Sequence, residues 1–597
     1  MYIARIQIEN FRNFYELDVE LSGNAVIVGE NKAGKSNLLY AMRLVFDPSL
    51  PDSARELGIA DFWDGLDGPS EDDEIRVAVD IKDFETDMDL IAVLTEFRLP
   101  SDAHTVRLTY VCRKLATVTG APTKDDDLEF ICFGGDDERK RFGHDVRRRL
   151  TMDLLPALRD AEGDLLNWSR SPLRPLIEEA FAAIPTGDLD DISKLIQDAT
   201  NQLTELDSIG KIEEDLASLL LAMSGPKQDL KPKLGIGATE ITRLYRNIRL
   251  LIDDGKRAIG DASLGSANIV FLALKSLDLT RLIRENKRDH TILAIEEPEA
   301  HLHPHLQRSV YRNLFDATVG KDEVSPMSIF MTTHSPHIAS VAPLRSILLL
   351  RDKSGVGSTG RSTASIPLSN DDEDDLARYM DVTRAEMLFA RGIILVEGDA
   401  EKFLIPVFAE ALGHSLDKLG ISVCSVSGTN FMPYTKLLSG LEIPHAVISD
   451  WDPVKDKKAL GINRGKKLIL MAKKIVTGAS PTKLQTELDG ITDENGLRQR
   501  FGDFGVFMNH HTLEVDLYED FWEEILDTLD EANLSQPKQE LVASWIEEPD
   551  DMKSDEMLKM IETIGKGRFA QRLASRIEGM KPPGYISDAI KFVVDRV

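Results

Sequence analysis

The chain has 597 residues, 42% of them hydrophobic and 29% charged, and carries a formal net charge of −30. So long a chain exceeds one ordinary hydrophobic core, giving an expectation of roughly two to four domains, and the composition excludes a disordered, collagen-like or disulfide-stapled protein. The negative charge excludes a surface that embraces nucleic acid everywhere and leaves local basic patches as the route to such a contact.

Cys112, Cys132 and Cys424 lack the paired spacing of a zinc site or a disulfide framework and read as reduced core residues. The run Met1 to Asn10 alternates apolar with polar residues, which predicts a strand and not a leader. No apolar run approaches the roughly 18 residues that span a bilayer, so a cytoplasmic protein without membrane contact is expected.

In chain order, strands are predicted at Ile3–Ile8, Leu17–Leu21 and Ala25–Val28, the last feeding a glycine-rich loop and a helix over Ser36–Val45. Alternation predicts further strands at Glu74–Ile81 and Thr105–Cys112. From about Asp164 to Leu251 the period becomes helical, with apolar residues at Ile192, Leu195, Ile196, Ala199, Ile212, Leu216, Leu219 and Leu220. Short apolar strands follow at Ile292–Ile295, Ser328–Met331 and Ser346–Leu350. The stretch Asp352–Asp375, rich in Gly, Ser, Thr and acids, is the best linker candidate, and its run Asn370–Asp375 reads as solvated. A helix over Arg384–Arg391 and strands at Ile393–Val396, Ser422–Val426 and His445–Ser449 then predict a compact parallel α/β domain.

Gly29-Glu30-Asn31-Lys32-Ala33-Gly34-Lys35-Ser36 fits G-x-x-x-x-G-K-[ST] between an apolar strand and a helix. There, backbone N–H groups and the helix N-terminus cradle phosphates, Lys35 reaches the β/γ oxygens and Ser36 holds Mg²⁺. Asn31, Gly34 and Asn37 join Lys35 and Ser36 as candidate nucleotide contacts. The strand Thr291–Ile295 runs into Glu296-Glu297-Pro298-Glu299, where Glu296 can hold the metal through water and Glu297 can orient the attacking water. His334, in Thr332-Thr333-His334-Ser335-Pro336, follows the next strand and is placed to touch a γ-phosphate. Ser263–Asn268 can open a helix whose N-terminus faces a phosphate across a dimer interface, with Ser263 and Gly265 as contacts.

These residues, with the opening Asn10-Phe11-Arg12-Asn13-Phe14, resemble the ATP-binding-cassette ATPases of the SMC and RecF kind. The resemblance implies that two cassettes sandwich two nucleotides in a homodimer. The sequence departs from that pattern in two places. There is no glutamine between the P-loop and Gln197, so Asp61 is the candidate for the missing ligand, and Ala267 stands where the signature segment commonly has Gln or Glu. Binding of ATP is therefore a safer expectation than rapid hydrolysis. His301, His303 and His305 fall where such ATPases have a D-loop, which is preferred to a zinc reading.

The second chemical centre follows the strand Ile393–Val396, which ends in Glu397-Gly398-Asp399-Ala400-Glu401, and the strand ending in Asp450-Trp451-Asp452. Open α/β sheets place ligands at such strand ends, and the D-x-D form predicts two carboxylates on one side of an extended chain. Four acids there repel one another, so Mg²⁺ or Mn²⁺ is expected among them. The set resembles the Toprim domain of topoisomerases, primases and some nucleases. The chain has little room for a strand-passage body and no zinc module, so a nuclease is favoured.

An ATPase cassette fused to a C-terminal Toprim domain, with Thr512-Leu513-Glu514 and Gly565-Lys566-Gly567-Arg568 further on, is similar to the overcoming-lysogenization-defect (OLD) family nucleases, including the Gabija nuclease subunit. The resemblance implies two metals held by Glu397, Glu401, Asp450, Asp452 and Glu514, with Lys566 assisting cleavage. It also implies a DNA substrate, a homodimer, a role in antiviral defence or DNA processing, and a helicase partner where the layout is Gabija-like. The expected α/β architecture is an ABC/SMC-like ATPase domain (1–163 and 252–375) split by a helical dimerisation insertion (164–251), then a Toprim domain (376–597). Candidate DNA contacts are Arg568, Arg572, Lys455, Lys457, Lys458, Arg464, Lys466 and Lys467, and the run Arg139–Arg141 with Arg147–Arg149. Two other readings stay open: a RecF- or SMC-like repair scaffold with an inert Toprim module, and an ATP-dependent RNase or toxin.

Overall fold

A computed structural model describes residues 1–204, 206–224, 231–234, 245–246, 248–318, 326–454 and 458–597. Its contacts separate one compact unit, formed by Met1–Ala157 and Asp289–Val597, from a second, Leu158–Arg288.

Among the described residues, the first unit contains three sheets. The first is antiparallel and has Tyr2–Phe11 between Phe14–Glu20 and Ile75–Lys82, followed by Asp102–Lys114 with Leu128–Gly134 beside it. The opening alternation buries Ile3, Ile6, Ile8 and Phe11. The opposite face carries cross-strand ion pairs such as Arg5 with Asp18 and Arg107 with Asp80, as expected of a sheet with one dry side.

The second sheet has the order Gly357–Ser362, Ile347–Lys353, Ala25–Gly29, Met327–Thr332, His290–Glu296, Leu150–Leu155, and is parallel except for its first edge strand. Ala25 to Val28 are wholly buried, which is why that strand reads as an unbroken apolar run. The third sheet is parallel throughout, in the order Ile421–Ser425, Gly392–Val396, His445–Ser449, Val506–Met508. Helices Asp399–Ala411, Leu513–Asp530 and Gly584–Val594 pack a second core there around Leu404, Phe408, Leu517, Ile525 and Ile590.

The predicted linker is folded. Ile347–Lys353 turns back into the antiparallel strand Gly357–Ser362, and the acidic run opens a helix, Asn370–Tyr379, capped by Ser369 through the backbone N–H of Asp372. Asp372 is buried and paired with Lys436. The acids that read as a solvated run are there because Asp and Glu suit a helix N-terminus. The helix expected over Arg384–Arg391 is shorter, Val382–Ala385 followed by one 3₁₀ turn, because Gly392 already begins the strand. The three cysteines are buried free thiols. Among the described residues, no helix is long and apolar enough to cross a membrane.

The second unit is helical, with Leu173–Ala182, Thr186–Thr204, Asp207–Ser224 and Leu264–Arg284. The apolar stripe of its middle helices stays exposed: Ile192, Leu195, Ile212 and Leu219 keep 48 to 69% of their surface.

Candidate functional site

The glycine loop after the buried strand Ala25–Gly29 has the conformation its motif demands. Gly34 has φ +88° and forms the N-cap of helix Lys35–Phe46, and a Cβ there would lie 2.1 Å from Asn13 Nδ2. Only glycine fits that approach. Lys35 donates from Nζ to the carbonyls of Gly29 and Glu30 at 2.9 and 2.8 Å. Burial lowers its pKa, opposed by the carboxylates of Glu297, Glu299 and Glu30.

Those carboxylates come from the end of the adjoining strand. Glu296 closes His290–Glu296 opposite Thr332. Glu297 takes a left-handed turn, φ +40°, fixed by its N–H donating to the Thr332 carbonyl at 3.0 Å. His334 Nε2 lies 3.7 Å from Glu297 Oε1, and burial followed by the Lys35 charge lowers its pKa, so the ring is neutral near pH 7. Glu299 holds this arrangement, accepting from Thr333 Oγ1 at 2.8 Å and from the His334 N–H at 2.6 Å. Lys35, Glu297 and His334 are thus brought together at one sheet end, with Ser36 and Asn31 both exposed beside them.

Asn37 and Asp61 have other work. Asn37 donates to Asn13 Oδ1 at 2.6 Å and accepts from Arg12 at 2.9 Å, while Arg12 also pairs with Asp61 at 2.9 Å. This ladder fastens the first hairpin to the P-loop helix and occupies both polar ends of the Asn37 amide. Ser263 and Gly265 belong to the helical unit. Ser263 caps helix Leu264–Arg284 by accepting from the Ser266 N–H at 3.2 Å, and Ala267 is wholly buried in that helix, a position that suits no long polar side chain. His303 and His305 stack with ring centroids 5.6 Å apart, and His305 meets Arg308.

At the carboxyl ends of the third sheet, Glu397 and Asp450 leave neighbouring parallel strands. Glu397 Oε1 accepts from the Asp450 N–H at 3.0 Å and from Ser449 Oγ at 2.6 Å. Asp450 Oδ1 accepts from Asn509 Nδ2 and from the Leu513 N–H at 3.1 Å. Glu401, in the first turn of its helix, and Glu514, at the start of another, are buried. Lys566 begins a helix and places Nζ 3.1 Å from Glu514 Oε1. Burial works against the Lys566 charge, yet Glu514, Asp450 and Glu401 raise its pKa overall.

This centre holds more negative charge than its cations offset. Burial, then repulsion from Glu397, Glu401 and Glu514, pushes Asp450 up to about 8. Burial, with Glu514 and Glu397, pushes Glu401 up to about 7. Glu514 Oε2 is buried with no hydrogen-bond partner. All the donors are oxygens, and two acids sit at pKa values that an added cation would lower, so the residues fit a hard divalent ion in kind. Among the described residues, no three His, Cys, Asp or Glu side chains converge on one point as a ready-made cage.

Asp452 departs from the predicted D-x-D geometry. The strand ends at Ser449 and Asp452 has φ +52°, so the alternation of an extended chain stops before it. Its carboxylate pairs instead with Arg464 at 2.9 Å. Arg464 also reaches Glu397 at 3.0 Å and is largely buried, so it is no free DNA contact. Lys466 pairs with Asp489, while Lys458, Lys467, Arg568 and Arg572 are exposed, and Lys455 and Lys457 lie outside the described residues. In the earlier basic run, Arg147 is buried on the Val45 carbonyl and Arg149 grips Asp289, whereas Arg139, Lys140, Arg141 and Arg148 are exposed, Arg139 beside Asp137.

Asn509 and Asp516 were not anticipated. Asn509 holds Asp450 and accepts from the Trp451 N–H at 2.8 Å, and Asp516 accepts from the N–H groups of His510 and His511 at 2.6 and 2.9 Å. Both follow the three-residue strand Val506–Met508, too short to carry a periodic signal.

Residues 25–340 match the model of an AAA domain described as putative AbiEii toxin, Type IV TA system. Residues 388–452 match the overcoming lysogenization defect protein-like TOPRIM domain. The chain is 25% identical over 464 residues to the OLD nuclease of Thermus scotoductus, covering 75% of this chain and 82% of the relative. It is also 25% identical over 495 residues to the endonuclease GajA of Bacillus cereus, covering 78% of each. The C-terminal region of the Burkholderia pseudomallei OLD protein is 43% identical, over 35% of this chain and 98% of that one, with a TM-score of 0.29. The kinship rests on sequence, over both the ATPase and the Toprim segments.

Proposed function

Since the chain belongs to the OLD family, in which an ATPase domain is joined to a Toprim domain, we propose that it is a divalent-metal-dependent DNA endonuclease governed by ATP. The observation that carries this reading is the buried acid group Glu397, Glu401, Asp450 and Glu514 at adjoining strand ends, charged beyond what its cations offset.

Divalent ions held by these acids and Asp452 would supply Lewis acidity and a hydroxide-like nucleophile for phosphodiester hydrolysis. The chain's own residues do the rest. Asn509 and the Leu513 N–H fix the Asp450 carboxylate, and Ser449 fixes Glu397. Lys566, charged at all physiological pH values and half-exposed, offsets charge that develops on the phosphate. Arg568 and Arg572 stand on the same helix, available to a DNA backbone.

At the other centre, Gly34, Lys35 and Ser36 would hold ATP and its Mg²⁺ with Glu296, Glu297 would orient the attacking water, and neutral His334 would meet the γ-phosphate. Ser263 and Gly265 serve a nucleotide across a homodimer. The exposed stripe of Ile192, Leu195, Ile212 and Leu219 is what a second copy of the helical unit would cover. Antiviral defence in the cytoplasm, with a helicase partner where the layout is Gabija-like, completes the reading.

The test is conversion of supercoiled plasmid to nicked or linear forms with Mg²⁺ or Mn²⁺. Metal-dependent nicking that Lys566→Ala lowers about 100-fold supports it. No nicking by the wild-type protein, with labelled RNA cut instead, replaces DNA by RNA as the substrate.

A further inference from the structure

The acid centre contains a cation of its own. Arg464 projects from helix Leu460–Thr477, and its side chain keeps only 15% of its surface. Its Nη1 donates to Glu397 Oε1 at 3.0 Å, Ser449 Oγ at 2.5 Å and the Asp450 carbonyl at 3.1 Å, while Nη2 donates to Asp452 Oδ2 at 2.9 Å. One planar guanidinium thus ties together the acids that follow two neighbouring strands.

Two features make this more than a surface ion pair. Glu397 Oε1 already accepts from Ser449 Oγ and the Asp450 N–H, so Arg464 is its third donor. A carboxylate oxygen offers about two lone-pair directions, which leaves none on that atom for a metal ion. The cations are also divided unevenly. Lys566 serves Glu514 on one side and Arg464 serves Glu397 and Asp452 on the other, whereas no ion pair is formed by Glu401 or Asp450 among the described residues. Arg464 therefore offsets charge on the Glu397 and Asp452 side of the acid group.

We propose that Arg464 is a resident counter-ion that competes with a divalent cation for Glu397 and Asp452, so that the side chain must leave these acids before both metal positions fill. This rests on the metal-dependent reading given above. The consequence is a raised metal threshold: the second ion binds more weakly than the acids alone would allow, and the departing guanidinium becomes available to a phosphate, for which its fork is well shaped. The opposite role, in which Arg464 orients Glu397 and strengthens metal binding, predicts the reverse response.

Mn²⁺ titrated into the full-length protein by calorimetry, without nucleotide or DNA, separates the two. Arg464→Gln is expected to tighten the weaker Mn²⁺ site about tenfold, because a positive charge next to the ligands is gone. It is also expected to lower the melting temperature in EDTA and to regain the difference in Mn²⁺, whereas a purely structural loss persists in both. Should the glutamine variant not fold, Arg464→Lys keeps a charge without the fork and is expected to tighten the site about threefold. Unchanged or weaker Mn²⁺ binding in whichever variant folds overturns the proposal while leaving metal dependence standing. Absence of any Mn²⁺ heat from the wild-type protein overturns the metal-dependent reading itself.

Discussion

The two chemical centres lie at the same kind of place, the carboxyl ends of parallel strands, and differ in how their charge is arranged. At the P-loop, one ammonium, Lys35, faces Glu297 and Glu299 and is held by two carbonyls of its own loop. At the Toprim end, buried Asp450 and Glu401 have pKa values pushed to about 8 and 7. The first is built to receive an anion and the second a cation. An anion cradle is a backbone shape and needs a contiguous loop, whereas a cation site needs only oxygens, which distant segments can supply.

Asp450→Ala should break the contrast most severely, since Asp450 is buried and feels the charges of Glu397, Glu401 and Glu514 together. Cleavage of supercoiled plasmid is expected to fall by at least about 10³-fold, with ATP binding unchanged. Retained cleavage would remove Asp450 from the metal site. At the other end, Lys35→Ala should weaken ATP binding about 100-fold, measured with a fluorescent nucleotide, because it removes a charge-assisted contact to phosphate. If Mn²⁺ binding weakened with it, the two centres would not be chemically separate.

Those two residues were legible in the sequence for the reasons that separate the sites. Gly29 to Ser36 is one unbroken segment whose glycines have a stated geometric need, and the strand feeding it is buried on both faces, so motif and apolar run agree. Glu397 and Asp450 were legible because each ends a short apolar strand. The orientation of Asp452 departs from the D-x-D expectation because the alternation of the strand stops at Ser449, where the backbone turns. Asn509, Asp516 and the true place of Arg464 were not visible. They depend on a three-residue strand and on a helix face meeting strand ends more than ten residues away. The stretch 352–375 misled for a composition reason, since a hairpin and an acidic, Ser-capped helix start use the same residues as a linker.

Asn509 gives a finer test of how the cation site is held. It touches Asp450 and the Trp451 backbone, and is itself almost wholly buried. Asn509→Ala should weaken Mn²⁺ binding by roughly 10-fold to 100-fold by calorimetry, with ATP binding unaffected. An unchanged Mn²⁺ affinity would mean that the Leu513 N–H alone positions the carboxylate.

The smallest effect expected is on stability against pH in EDTA, and its sign follows from the raised acids. Asp450 and Glu401, ordinarily at 3.8 and 4.5, reach about 8 and about 7 in the folded protein. Between those values the folded chain binds protons that the unfolded chain has released, so stability falls as pH rises from about 4.5 to about 8 and levels off above. Other groups titrate in this window, so the informative quantity is the difference between variants. Asp450→Asn should flatten the decline of melting temperature between pH 5 and pH 8 by removing one of the two protons involved. Mn²⁺ should flatten it in the wild-type protein, because an ion among the acids lowers the folded pKa values toward the unfolded ones. A P-loop variant such as Lys35→Ala, at the other centre, should leave the slope where it was. If Lys35→Ala flattened the slope as much as Asp450→Asn, the excess charge would not be confined to the Toprim end.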